Sequence, residues 1–114
     1  MKRLNGLVFG LILAFLAGPV WAAGSITITS PENGAMLAMS GNKLTFNVTL
    51  SPNGNHVHIY VDDQNPIVYR DVAHCPCTID LPMLSSGKHM VAIKEATVSH
   101  ALTGVEGSVS FTVK

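Results

Sequence analysis

The chain has 114 residues, 47% of them hydrophobic and only 12% charged, with seven Lys and Arg balanced by seven Asp and Glu. That length leaves room for one domain, and a formal net charge of zero excludes the basic footprint of a nucleic-acid binder. Two cysteines set two residues apart exclude a fold held by several disulfides.

Residues 1–22 read as a signal peptide. Lys2 and Arg3 form a basic start, Leu7 to Ala17 is an apolar run broken only by Gly10, and Val20-Trp21-Ala22 suits a signal-peptidase site. Cleavage is expected after Ala22, because the run is short for a membrane span and Pro19 follows it closely; an uncleaved anchor is the lesser alternative. No cysteine immediately follows the run, so a lipoprotein is not expected. The domain is then 23–114, with five Lys and Arg against seven Asp and Glu, a net charge of −2 with neutral His. Its expected destination is the bacterial periplasm, with no membrane association after cleavage.

Ser25 to Ser30 alternates apolar and hydroxyl residues, the period-two pattern of a half-buried strand, and Pro31-Glu32-Asn33-Gly34 ends it. Lys43 to Leu50 repeats the pattern, with Leu44, Phe46, Val48 and Leu50 on one face. His56 to Val61 is a third strand: Val57, Ile59 and Val61 face the core, and His56, His58 and Tyr60 face the other way. A turn at Asp62 to Pro66 leads into a short strand, Ile67 to Arg70. Cys77 to Leu81, Lys88 to Glu95 and Gly107 to Val113 complete the set. Outside the signal segment no stretch sustains a period of 3.6.

About seven short strands with turns between them argue an all-β, antiparallel two-sheet sandwich. The run LPMLSSGKHMVAIK followed by GSVSFTVK resembles the closing half of bacterial immunoglobulin-like and fibronectin type III-like domains, and VHIYVDD is similar to their third strand and its turn. The resemblance covers most of 23–114 and implies a fold that hosts many functions.

In a sandwich of that topology, chain direction alone sorts the loops between two ends. His56, His58, His74, Cys75, Cys77 and His100 are expected at one end and His89 at the other. His56 and His58, two apart on one strand face, present neighbouring imidazoles, a donor that suits copper, zinc and nickel; the alternative is that both simply decorate a solvated strand face. His89 directly follows Gly87-Lys88 and is expected to hydrogen-bond the preceding turn, as a tyrosine corner does.

Cys75-Pro76-Cys77 closes too small a ring to constrain the unfolded chain much, so three uses stay open: thiol-disulfide exchange, thiolate ligation of a soft ion beside His74, or a shallow-buried pair without a role. C-x-x-C-H is absent, which argues against haem. The methionines Met36, Met39, Met83 and Met90 are expected mostly as core filler, with a separate thioether site near Met36 and Met39 as the alternative. Asp62 and Asp63 read as turn residues, because no calcium-loop spacing follows them.

No motif of an enzyme is present, so none is expected. The expected function is metal binding, copper first and zinc second, in delivery or sequestration, with a periplasmic metalloprotein as the natural partner. The metal ligands are expected among His56, His58, His74, Cys75, Cys77 and His100. The alternatives are a non-catalytic protein-interaction module and, third, a redox role for the C-P-C pair.

Overall fold

Alternation of side chains decides the architecture. The structure, a computed structural model, describes residues 23–114, and the expected signal peptide lies outside the described residues. Eight strands form: β1 (Ser25–Ser30), β2 (Met36–Leu37), β3 (Lys43–Thr49), β4 (His56–Val61), β5 (Ile67–Tyr69), β6 (Cys77–Asp80), β7 (Gly87–Ala96) and β8 (Leu102–Val113). A single 3-10 turn, Val72–His74, joins β5 to β6.

They pair into a three-stranded sheet of order β1-β3-β6 and a five-stranded sheet of order β2-β8-β7-β4-β5. The two sheets close face to face over Leu44 and Phe46, Val57 and Ile59, Val91 and Ile93, and Phe111, none more than 2% exposed. Each of the larger side chains contributes about 1.5–3 kcal/mol by leaving water. Phe46 meets Tyr69 edge to face at 5.5 Å between ring centroids, which carries the core out to the edge strand β5.

The strands expected from period-two patterning are all present. The structure adds β2, which pairs parallel to β8 through Met36 and Thr112, with Thr112 N–H donating to Ala35 O at 2.9 Å. It also starts β8 at Leu102, five residues before the expected Gly107. Gly104 and Gly107 interrupt the alternation there, and Gly107 is needed because a Cβ would strike the carbonyl of Ile26 on β1. The methionines are a correction to the core-filler expectation. Met36, Met39, Met83 and Met90 are 45–75% exposed, since the core is already filled by branched and aromatic residues.

At the end of the sandwich where β4 and β8 begin, Glu95 is fully buried on the core face of β7. Its Oε2 accepts Ser51 N–H at 2.7 Å, and its Oε1 accepts the hydroxyls of Ser51 at 2.5 Å and Thr103 at 2.6 Å. Burial pushes this carboxyl up, but the donors from Ser51 and Thr103 outweigh it and hold it below its ordinary value. The carboxylate therefore ties the β3–β4 loop to β7 and β8. A Cβ on Gly54, in that loop, would land on the Glu95 carboxylate.

At the other end, Asp62 follows β4 in the left-handed region at φ +56°. Its Oδ1 accepts Met90 N–H at 2.9 Å and its Oδ2 accepts His89 Nδ1–H at 2.7 Å, while His89 Nε2–H donates to Ser85 O at 2.6 Å. Two acceptors facing both ring nitrogens select the imidazolium. His89 thus holds the preceding turn as expected, and holds β4 to β7 as well. The hydrogen bonds it donates to Asp62 and Ser85 raise its pKa. Burial raises that of Asp62, and the donors His89 and Met90 turn the net shift downward.

Two outcomes follow from these two ends. Gly54→Ala should cost about 1–3 kcal/mol through the clash with Glu95, read as a lower urea midpoint at unchanged slope. The Asp62–His89 contribution should be complete between their ordinary values, 3.8 and 6.5. It should fade as pH rises through the raised His89 value and as pH falls through the lowered Asp62 value. Urea midpoints across that range test this: His89→Gln should flatten the alkaline limb, and an unchanged limb would exclude the clip.

Candidate metal centre

Because Val57, Ile59 and Val61 turn inward on β4, His56 and His58 turn outward from the five-stranded sheet. An outward face is normally wet, yet His56 is fully buried and His58 is 7% exposed. What brings the third histidine to them is the β7–β8 turn. In β7, Ala96 is opposite His56 and Lys94 is opposite His58, so the turn after Ala96 begins beside the pair.

That turn is tight. His100 N–H donates to Thr97 O and Thr97 N–H to Ala101 O, each at 2.8 Å, and Ala101 N–H also reaches Thr97 Oγ1 at 3.2 Å. His100 sits in the left-handed region at φ +70°, an uncommon conformation for a residue with a side chain, and such strain gathers at functional positions.

Three ring nitrogens meet there. His56 Nε2, His58 Nε2 and His100 Nδ1 are 3.1 Å apart in each of the three pairs. Hydrogen bonding cannot satisfy all three contacts. Each nitrogen carries either an N–H or a lone pair, so among three at least one pair is alike and faces its own kind. An ion accepting three lone pairs resolves the conflict. The corners of a triangle with 3.1 Å sides lie about 1.8 Å from its centre, just inside the imidazole–metal bond of about 2.0–2.1 Å, so one ion slightly out of the plane can reach all three.

The protonation of the rings suits that use. His56 Nδ1 is 2.9 Å from Asn55 Oδ1, which can only accept, so Nδ1 carries the proton and Nε2 offers its lone pair. Tyr60 OH is 3.5 Å from His58 Nδ1, too long for a strong bond. Burial first, then the charges of Arg70, His100 and His58, lower the pKa of His56; burial, His100 and Arg70 lower that of His58. Both rings are neutral near pH 7, the form that binds metal.

The other three candidate ligands lie elsewhere. Cys75 and Cys77 are joined in a disulfide, which supplies no thiolate. Cys77 is buried at the start of β6, opposite Phe46 in the three-stranded sheet. His74 is largely exposed and 3.6 Å from Asp71 Oδ1. Among the described residues, no Cys, Asp or Glu joins the group of His56, His58 and His100. Asn55 and Arg70 are the neighbours that the sequence reading did not single out. Asn55 precedes the H-x-H directly, and Arg70 becomes a neighbour only once β5 is registered against β4.

No known family description matches the chain, and no curated protein matches it. Solved structures do. The fibronectin(III)-like modules of CbhA from Clostridium thermocellum superpose with a TM-score of 0.61 at 20% identity, over 78% of this chain and 96% of theirs. The extracellular domain of a one component system from B. thetaiotaomicron gives 0.53 at 12% identity, over 84% of this chain but 16% of that one. CopC from Methylosinus trichosporium OB3b gives 0.48 at 23% identity, over 80% and 93%, a superposition too loose to argue from. At these identities the likeness is one of fold, and the chain is an immunoglobulin-like, fibronectin type III-like sandwich.

Proposed function

We propose that this protein is an exported, non-catalytic metal-binding protein that delivers or sequesters a copper ion, held by His56, His58 and His100. The observation that carries the reading is the convergence of three imidazole nitrogens, 3.1 Å apart in every pair, on a strand face where two of the rings are buried. Imidazole donors accept copper and zinc, and for such ligands Cu(II) binds more tightly than its neighbours in the divalent series. Zinc is therefore the competitor to measure. The disulfide-bonded cysteines have no part in holding the ion.

A second reading, a protein-interaction module, has its own support in the exposed edge strand β5, where Ile67 and Val68 are 40% and 45% exposed. Metal titration separates the two. Calorimetry on residues 23–114 should give one Cu(II) per chain, held more tightly than Zn(II). His56→Ala, His58→Ala or His100→Ala should each weaken it by at least about 100-fold, beyond the roughly 10–100-fold that loss of an outer partner costs. Asn55→Ala should fall in that smaller range, and Cys75→Ser/Cys77→Ser should bind as the wild type does. A wild-type chain that binds neither ion would leave the interaction module as the better reading.

A further inference from the structure

The three imidazoles bring no charge to an ion, and the charge of Arg70, which acts on both His56 and His58, has the wrong sign. The β4–β5 ladder ends with Val57 opposite Tyr69, so Arg70, the next residue, comes opposite His56. Tyr69 packs inward on Phe46, which turns its neighbours Val68 and Arg70 to the outer face that His56 and His58 share. Residues opposite each other on paired strands have Cβ atoms about 4.5–5.5 Å apart, so the long Arg70 side chain can reach beyond the triad.

That guanidinium is not committed elsewhere. Lys94, a second cation on this face, lies 5.3 Å from the Tyr60 ring centre and 3.8 Å from Glu106 Oε1. Arg70 is exposed, and among the described residues it takes part in none of the ion pairs. A cation beside a cation site opposes loading unless something negative accompanies the ion. Glu95 does not serve, since its carboxylate is taken up by Ser51 and Thr103 on the core face.

We propose that the His56/His58/His100 centre takes its ion together with a carboxylate, one oxygen of which fills the position the three histidines leave open while Arg70 holds the other. The inference rests on the metal-binding reading above. Three protein ligands leave one position of a four-coordinate ion free, and His100, the exposed member of the triad, marks the side that solvent reaches. A carboxylate has two oxygens, so one can bind the ion while the other accepts from the Arg70 guanidinium, which a single-atom halide cannot do. Its binding is a simple exchange in which one water leaves, one carboxylate oxygen enters and the local charge falls by one. The carboxylate can come from a small acid or from an Asp or Glu of a docking protein.

The test uses residues 23–114 loaded with one Cu(II), titrated with sodium acetate and separately with acetyl-Gly-Glu-Gly-amide, and read by the copper d–d absorption band. Both should shift the band saturably, and chloride should not. Arg70→Gln should weaken acetate binding by about tenfold or more, and Arg70→Lys should recover only part of it, because an ammonium keeps the charge but not the planar, fixed donors of the guanidinium. Without carboxylate, Arg70→Gln should bind copper at least as tightly as the wild type, since a repulsive charge is gone. A peptide that binds more tightly than acetate identifies a protein carboxylate as the ligand, whereas equal affinities identify a small acid. Loaded protein that ignores both, or an Arg70→Gln variant that binds acetate unchanged, would overturn the inference while leaving the copper site intact. A chain that takes up no copper would instead overturn the metal reading on which it rests.

Discussion

The candidate centre depends on the end of the sandwich being held in one arrangement, and the buried Glu95 carboxylate is what holds it. A charge on the core face would be costly to desolvate, and it is stable there because three donors aim at it from two other segments. Ser51 fixes where the β3–β4 loop leaves β3, and hence where His56 enters β4. Thr103 fixes the start of β8, and hence how the turn carrying His100 returns. One carboxylate therefore sets both sides of the triad. Gly54 is the complement of this arrangement, since the loop must pass against the carboxylate with no Cβ in the way.

The strands were legible because one face of each is apolar and the other polar, even in β4, where the histidine face is buried too. β4 begins and ends where alternation says it does, and β1 likewise, since each has one face on the core. β2 was not legible, because a two-residue parallel pairing is decided by the free edge of β8 and not by any pattern in Met36-Leu37. The start of β8 was hidden by Gly104 and Gly107, which serve backbone approach and a positive φ instead of packing. Exposure of the methionines is invisible to composition, because thioethers suit a core as well as a surface.

The site was legible in part, for a geometric reason. Strand direction sorts residues by end of the sandwich, and it brings His56, His58 and His100 to one end. Direction does not say which side of the sandwich a residue is on. Cys77 opens β6 in the opposite sheet and points into the core, so the thickness of the sandwich, about 10 Å between sheets, separates it from the outer face of β4. His74, one residue before Cys75 in sequence, stays with its own turn and with Asp71. The H-x-H spacing carried the useful signal, and its third partner came from the sharp β7–β8 turn, whose left-handed residue is the histidine itself.

The division of labour among the three histidines bears on what such a centre is suited to do. His56 and His58 come from β4, which is paired on both sides and lies over the core, so their rings are fixed in relation to each other. His100 comes from a five-residue turn, is exposed, and is held by backbone hydrogen bonds that reach only from Thr97 to Ala101. Displacing that turn removes one ligand and uncovers the other two without disturbing either sheet, because no core residue lies between Thr97 and Ala101. A centre meant to hold its ion permanently gains from ligands that are all equally rigid. Two rigid ligands and one on a short turn would instead give an ion a path in and out that costs the fold little, which suits the delivery proposed above.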